Sequence, residues 1–262
     1  QCGMNSIDWG KKYLYHYTSF EAAAKILASG KLLFSDVKRL NDINESCGPT
    51  IIYARYSGKK RIECENILMN YKQISLTMDV EGRRGFDIPA MWGHYASRGN
   101  GACLVFDNAS ILIDIQSESR LYSNQVSYSV LEIPNEIIYD KQFKESFVQF
   151  INQSKDKLFF RKTEDWAYEQ EYRIITINDE IKALDISKHV VSVILYNRDH
   201  EDFLNSVEYV SLSKICPKIR FCRYAPGFIG GQGDLYGLDN NSIKPPIVLN
   251  YSITKGAVEE NQ

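Results

Sequence analysis

The segment Arg161–Ile177, with the sequence RKTEDWAYEQEYRIITI, carries two acids separated by one residue, Glu169 and Glu171. Its second half is rich in β-branched and aromatic residues, which favour a pleated strand. Successive side chains on a strand point to opposite faces, so Glu169, Glu171 and Arg173 are expected to share one face. The other face, which we expect to be largely buried, carries Gln170, Tyr172 and Ile174.

Two acids in a row on one strand face lie about 7 Å apart and repel each other. Such a pair costs stability unless a partner or a cleft uses it. One interpretation is a solvated edge strand on which Arg173 neutralises Glu169 and Glu171. The other interpretation is a functional cleft, and the rest of the chain bears on that choice.

The size and charge of the chain limit its class. Its 262 residues suffice for one large domain or two small ones. The net charge of −2 argues against a broad electrostatic grip on nucleic acid or an anionic membrane, while a local basic patch stays open. No run approaches the roughly 18 apolar residues of a membrane span, so we expect no membrane partner.

The N-terminal sequence and the cysteines bear on the cellular compartment that we expect for the protein. No basic region followed by an apolar core occurs at the N-terminus, so we expect no signal peptide, and we take Met4 as the native start. The six cysteines are scattered without a C-x-x-C pair, which argues against a metal site. We therefore expect a reduced, cytoplasmic protein, with Cys103 as a small core residue.

Hydrophobic periodicity predicts the secondary structure. The predicted strands are Tyr13–Thr18, Lys31–Ser35, Ile74–Met78, Ala102–Phe106, Val126–Leu131, Val190–Tyr196 and Lys218–Tyr224. The predicted helices are Phe20–Ser29, Ala90–Ala96, Phe143–Phe159 and Phe203–Ser213. Strands and helices do not alternate regularly, which favours an α+β fold over a doubly wound sheet.

Several shorter patterns mark boundaries. Ser19 or Thr18 is expected to cap the first helix and Gly30 to end it. Leu40–Glu45 is similar to a capping box, and Gly58–Arg61 is expected to form a basic turn within a segment that is either helix or coil. From Pro226 onward the chain is rich in glycine and proline, which predicts a mobile loop or tail over 226–262, with one last strand at Ile247–Ile253.

Three residues are candidates for a ligand site on local grounds. His16 lies on the first strand, where a lone histidine is more often structural than a ligand. Trp92 and Tyr95 are three residues apart and share one helix face. This aromatic pair fits a plain core position or a platform for a flat ligand.

Four motifs occur in order along the chain. They are LYHYTS (Leu14–Ser19), LNDINE (Leu40–Glu45), MWGHYA followed by a glycine-rich turn and CLVF (Met91–Phe106), and WAYEQEYR (Trp166–Arg173). Together they resemble the bacterial domain of unknown function 2971 family, which is similar to the ADP-ribosyltransferase superfamily. The resemblance implies a split, mostly antiparallel sheet flanked by helices around an NAD cleft, in a domain spanning 4–225.

The resemblance also implies roles for residues on the first strands. His16 corresponds to the histidine that binds the adenosine ribose of NAD, and Thr18 is the small polar residue that follows it. Ser75 and Thr77 correspond to the strand that supports the catalytic glutamate. NAD would be a substrate, and no metal is implied.

The remaining implied roles lie in the aromatic and acidic motifs. Tyr95, with Trp92 as the neighbouring candidate, would stack on the nicotinamide ring. Glu171 corresponds to the catalytic glutamate, which stabilises positive charge that develops on the ribose. Glu169 would polarise an incoming nucleophile, and Arg173 would hold Glu169 or a phosphate.

The resemblance leaves the acceptor open. Members with a histidine on the first strand usually lack a full E-x-E, and E-x-E members usually carry an arginine there, so either Glu169 or Glu171 can be the catalytic acid. We therefore predict an ADP-ribosyltransferase acting on a protein or nucleic acid, or an NAD glycohydrolase if water is the acceptor. The alternatives are an inactive nucleotide- or partner-binding module and RNA end chemistry. A toxin or phage-defence role follows by analogy only.

Overall fold

The computed structural model describes residues 8, 10–36, 56–69, 71–129, 142–176, 180–198, 203–227, 232–239 and 242–246. Its strands are β1 (Tyr13–Ser19), β2 (Lys31–Leu33), β3 (Ser35–Asp36), β4 (Lys72–Met78), β5 (Asn100–Asp107), β6 (Leu121–Gln125), β7 (Ser127–Tyr128), β8 (Arg161–Lys162), β9 (Glu171–Thr176), β10 (Ala183–Asp185), β11 (Val190–Asn197), β12 (Arg220–Ala225), β13 (Asp234–Asp239) and β14 (Ser242–Pro246). Its α-helices are α1 (Phe20–Ser29), α2 (Gly58–Met69), α3 (Pro89–Tyr95), α4 (Asn108–Ser117), α5 (Phe143–Gln153), α6 (Lys155–Phe159) and α7 (Val207–Ile215). Short 3-10 helices cover Glu164–Glu169 and Phe203–Asn205.

The fold mixes helices and strands and contains a large, mostly antiparallel open sheet flanked by helices, which confirms that part of the predicted fold class. The chain divides into two compact units. Unit 1 comprises Gln1–Gly30, Thr77–Ile111 and Ser187–Gln262, and unit 2 comprises Lys31–Leu76 and Leu112–Ile186. In the described ranges, no helix combines the length and the apolar character that crossing a membrane requires.

The sheet of unit 1 has the strand order β14-β13-β12-β11-β5-β1, followed by the last residues of β4. All neighbours are antiparallel except β11 and β12, which run parallel. The centre of this sheet is β5, whose residues 102–106 are fully buried, as predicted for Ala102–Phe106. Cys103 is one of these core residues. The apolar run predicted at Val190–Tyr196 forms β11 beside β5, which confirms it as a central strand.

Helix α1 shows how local sequence sets an element. The hydroxyl of Ser19 accepts a hydrogen bond from the backbone N–H of Ala22, and this bond caps the helix. Gly30 follows the last turn with a positive φ of 65°, and its N–H donates to the carbonyl of Ile26. Ser19 and Gly30 thus set the two ends of the helix, which covers the predicted range Phe20–Ser29.

Unit 2 is built around a core rich in phenylalanine. Its sheet places β9 between β4 and β6, and β3 pairs with β4. Helices α2 and α5 pack together, and the buried residues they share in this core include Cys64, Leu68, Phe147, Phe150 and Ile151. The remaining strands form the pairs β2–β10 and β7–β8.

The structure corrects several predicted elements. Gly58–Arg61 is not a basic turn but the first turn of helix α2. The helix predicted over Phe143–Phe159 is interrupted at Ser154, between α5 and α6. Of the strand predicted at Val126–Leu131, Ser127–Tyr128 forms β7, β6 precedes it, and residues 130–131 lie outside the described residues.

The glycine-rich region after Pro226 contains two strands where a loop or tail was predicted. β13 pairs antiparallel with β12, and β14 pairs with β13. Gly233 packs so closely that a Cβ there would lie 2.4 Å from the ring of Tyr224. The strand predicted at Ile247–Ile253 and the motif Leu40–Glu45 lie outside the described residues, and the domain boundary at residue 225 stays a prediction.

Candidate functional site

The acidic motif folds as a turn followed by a strand. Glu169 ends the 3-10 helix Glu164–Glu169, and β9 begins at Glu171. Between them Gln170 adopts a left-handed backbone with φ 47° and donates a side-chain hydrogen bond of 2.6 Å to the carbonyl of Ala167. The prediction that Glu169 shares a strand face with Glu171 is therefore wrong, whereas Glu171 and Arg173 do share one.

Both faces of β9 are largely buried. On the face predicted to be buried, Ile174 is fully buried and Tyr172 half-buried, while Glu171 and Arg173 on the other face are each only 2% exposed. The acids do not lie on a solvated edge strand, because their charges are met by cations inside unit 2. Of the two interpretations of the acidic pair, the solvated edge strand is therefore wrong.

Arg173 holds Glu171 with both sides of its guanidinium group. Its Nε lies 2.8 Å from Oε1 of Glu171, and its Nη2 lies 2.9 Å from Oε2. Its Nη1 donates to the backbone carbonyl of Phe159. This bidentate pairing fixes the plane of the carboxylate. Arg173 was expected to hold Glu169 or a phosphate, and in the structure it pairs with Glu171.

Lys162 bridges the two acids and was missed by the sequence analysis. Its Nζ lies 2.5 Å from Oε2 of Glu169 and 2.9 Å from Oε2 of Glu171, and the residue is 5% exposed. The ammonium also lies 5.3 Å from the centre of the Trp166 ring. A lysine seven positions before an acid matches no local sequence pattern. The fold brings Lys162 to Glu169 through β8 and the 3-10 helix that follows it.

Two hydroxyl groups complete the surroundings of Glu171. The hydroxyl of Tyr128 accepts a hydrogen bond of 2.7 Å from the backbone N–H of Glu171. Ser75, an exposed residue of β4, hydrogen-bonds to the Glu171 side chain and accepts a bond of 3.1 Å from Gln73. The supporting role of Ser75 stays a prediction.

The charge state of Glu171 follows from these contacts. Burial raises the pKa of its carboxyl group, but the charge and hydrogen bonds of Arg173 lower it more, and Lys162 and Ser75 add to that effect. The resulting pKa is about 2 instead of the ordinary 4.5, so the carboxylate is ionised at neutral pH. Burial, together with the nearby acids, raises the pKa of Tyr128 above its ordinary value.

The other predicted site residues belong to unit 1. On β1, His16 is half-buried opposite Leu104, and Thr18 is nearly buried opposite Ala102. Thr77 is buried on β4 opposite Tyr15 of β1. Their contact with NAD stays a prediction.

Trp92 is a core residue. It is 1% exposed, it stacks on Tyr224 with ring centres 5.2 Å apart, and its indole N–H donates to the carbonyl of Phe86. Tyr17 and Tyr196 contact it edge-on. These neighbours cover the ring, so Trp92 does not fit the predicted nicotinamide platform. Tyr95 is half-buried and remains the candidate for that role.

Unit 1 contains buried acids of a different kind. Asp79 accepts hydrogen bonds from the backbone N–H groups of Tyr13 and Gly85, from the hydroxyl of Tyr15 and from the guanidinium group of Arg84, all at 2.8–2.9 Å.

Asp87 plays a similar part nearby. It accepts a bond of 2.8 Å from the hydroxyl of Tyr224 and bonds of 3.0–3.1 Å from the N–H of Gly233. These contacts join the loop before α3 to the segment that leads into β13. In the described part of the chain, no group of three or more His, Cys, Asp or Glu side chains is arranged to hold a metal.

The placement of the predicted residues is therefore divided. Unit 2 brings together Ser75, Glu169, Glu171 and Arg173, and it adds Lys162 to them. Unit 1 holds the remaining candidates, which are His16, Thr18, Thr77, Trp92 and Tyr95. A common NAD cleft stays a prediction.

Comparison with known families agrees with the predicted family. Residues 91–174 match the model of a family described as "Protein of unknown function (DUF2971)". The matched range includes the MWGHYA motif and ends just after the acidic motif, with Glu169, Glu171 and Arg173 inside it. No curated protein and no solved structure matches the chain.

Proposed function

We propose that this chain is an NAD-dependent ADP-ribosyltransferase in which Glu171 is the catalytic carboxylate. The observation that carries the proposal is the ionised Glu171 side chain, held in a fixed plane at the first residue of β9 by Arg173. A carboxylate that is already oriented and charged can stabilise positive charge as it develops, without reorganisation during the reaction.

The chemistry resembles glycoside hydrolysis. The bond between the ribose C1′ and the nicotinamide nitrogen breaks, and its electron pair leaves with nicotinamide. Glu171 stabilises the cationic ribose that forms. An acceptor oxygen or nitrogen then bonds to C1′ and gives its proton to Glu169, which acts as general base. Water in place of the acceptor would make the chain an NAD glycohydrolase.

The other residues have binding and positioning roles in this proposal. Ser75 and Arg173 orient Glu171, which is the part of the assignment that their contacts support. His16 and Thr18 would bind the adenosine ribose, with Thr77 beside the strand that carries His16. Tyr95 would stack on nicotinamide, since the Trp92 ring is covered by other side chains.

A second candidate function is a binding module without catalysis. The observation that favours it is charge balance, because Lys162 and Arg173 offset the formal charges of Glu169 and Glu171. A neutralised acid pair stabilises a cationic ribose less than a free carboxylate does. Such a site would bind a nucleotide or a partner and leave NAD intact.

Nicotinamide release from NAD by the purified chain tests the proposal. We expect release by the wild type and a loss of about 10²-fold or more in the Glu171→Gln variant, because the amide removes the stabilising charge. Glu21→Gln is the matched control, since Glu21 is an exposed acid paired with Lys25 in helix α1. It should release nicotinamide at the wild-type rate.

Calorimetric binding of NAD separates the two candidates. Binding without release would support the binding module. Release that persists in Glu171→Gln would remove Glu171 from the reaction, and the absence of both binding and release would reject an NAD-dependent function.

A further inference from the structure

Two cations take up most of the hydrogen-bonding capacity of Glu171. An ionised carboxylate offers about four lone-pair positions. Two are taken by the bidentate contact with Arg173 and a third by Lys162. Oε2 carries two of these three contacts, so a ribose hydroxyl that binds at Oε2 has to displace one of them.

The contacts differ in how readily they can be released. Arg173 is anchored by two parallel bonds to Glu171 and by a third bond to the carbonyl of Phe159. Loss of the Ser75 contact would leave the charge balance unchanged. Lys162 already has a second carboxylate, because its Nζ lies 2.5 Å from Glu169 and 2.9 Å from Glu171.

We propose that Lys162 is a displaceable cap on Glu171, which moves onto Glu169 alone when a ribose hydroxyl binds Glu171. This inference rests on the proposed function, and it makes Lys162 a positioning residue. In the capped state Lys162 and Arg173 together offset the Glu171 charge. In the uncapped state Lys162 is balanced by Glu169, and Glu171 has more negative charge available for the cationic ribose.

The cap gives Glu169 a second role, as the receiving partner of Lys162. The lysine needs to move little, because both carboxylates are already within hydrogen-bonding distance of its Nζ. Lys162 is held near both acids by the pairing of β8 with β7, the strand that also carries Tyr128. The β7–β8 pair therefore positions both Lys162 and, through Tyr128, the first residue of β9.

A kinetic cycle of Lys162 and Glu169 tests the cap. In Glu169→Gln the receiving charge is gone, so Lys162 stays on Glu171, and we expect KM for nicotinamide release to rise about tenfold. Lys162→Met added to Glu169→Gln removes the cap, and we expect KM to return to within about threefold of wild type, while kcat stays low because the general base is still absent. The matched control is Glu21→Gln with Lys25→Met, the same pair of changes on an exposed ion pair.

The double variant distinguishes the cap from other roles. If Glu169 acts only as general base, or if Lys162 is only structural, the double variant shows no recovery of KM relative to Glu169→Gln. Either result would overturn the proposal. The low kcat that the two variants share reports the separate role of Glu169 in the chemical step.

A stability cycle tests the cap without any turnover. The coupling of Lys162 with Glu169 is measured from unfolding constants in urea for Lys162→Met, Glu169→Gln and their double variant. The coupling of Lys162 with Glu171 is measured in the same way with Glu171→Gln. The first coupling should exceed the second by about tenfold. An equal or weaker coupling with Glu169 would overturn the cap. A chain that neither binds nor cleaves NAD would reject the proposed function, and this cycle would still decide where Lys162 is held more tightly.

Discussion

Asp79 in unit 1 and Glu171 in unit 2 are both buried acids that accept several hydrogen bonds, but their donors differ. Asp79 is held by two backbone N–H groups, a tyrosine hydroxyl and Arg84, all of which belong to one strand start and one turn. Glu171 accepts from side chains, and one of these, Lys162, is shared with a second acid. The first arrangement fixes a loop, whereas the second can redistribute charge.

This difference shows why burial alone does not identify a functional acid. A carboxylate satisfied by backbone groups has no alternative partner unless the fold itself opens. Two carboxylates that share one ammonium leave it with two possible partners. The comparison supports the proposal that Glu171 is the catalytic acid, and it favours a structural role for Asp79.

The largest expected effect is the loss of Asp79. Asp79→Ala leaves the guanidinium group of Arg84 buried without its carboxylate and removes the acceptor for Tyr15 and for two backbone N–H groups. We expect the free energy of unfolding to fall by about 3–5 kcal/mol, measured by urea denaturation. Glu21→Gln on the exposed helix surface should leave the midpoint almost unchanged. A loss at Asp79 as small as that of the control would remove its structural role.

An intermediate effect is expected for Glu171, and it should depend on pH. Glu171→Gln should lower the free energy of unfolding by about 2–4 kcal/mol at pH 7, since Arg173 and Lys162 lose a charged partner. The folded pKa of Glu171 is lowered from 4.5 to about 2, so its contribution is complete above pH 4.5 and is lost as the pH falls toward 2.

The measurement is the difference in unfolding free energy between wild type and Glu171→Gln across that pH range. The difference should shrink steadily below pH 4.5. A difference that stays constant down to pH 2.5 would contradict the ion pairs seen around Glu171.

The smallest pair of effects compares two glycines of unit 1. Gly233→Ala would place a Cβ 2.4 Å from Tyr224 and 2.7 Å from the carboxylate of Asp87, and we expect a loss of about 1–3 kcal/mol. Gly93→Ala in helix α3 meets nothing within 4 Å and should stabilise the chain by about 0.5 kcal/mol. Thermal denaturation of both variants is the measurement. Equal shifts of the melting temperature would show that the Asp87–Gly233 contact does not hold β13.

Elements specified by local sequence were predictable. Helix α1 has a capping serine at one end and a glycine at the other, and β5 and β11 are short apolar runs, so each follows from its own residues. The prediction left helix α2 open between helix and coil, because its sequence shows little hydrophobic periodicity. Its apolar residues Cys64 and Leu68 are buried in a core that they share with α5. Tertiary contact rather than local propensity specifies that helix.

The site was predictable in its acids and in Arg173, but not in its lysine. Glu169, Glu171 and Arg173 stand out in the sequence, and Ser75 follows from the family resemblance. Lys162 does not, because only the fold brings β8 beside the start of β9. The glycines of β13 were also misleading, since glycine commonly indicates a turn, whereas Gly233 permits close approach to Tyr224.

The left-handed backbone at Gln170 has an evolutionary consequence. It sets the relative direction of the Glu169 and Glu171 side chains, so that the Lys162 ammonium reaches both carboxylates. An insertion or deletion at this position would change that relative direction even if every charged residue were kept. The length of the segment between Ala167 and Glu171 should therefore be under stronger selection than the identity of the side chain at position 170. Among homologous chains that share this geometry, glycine and asparagine should replace Gln170 readily.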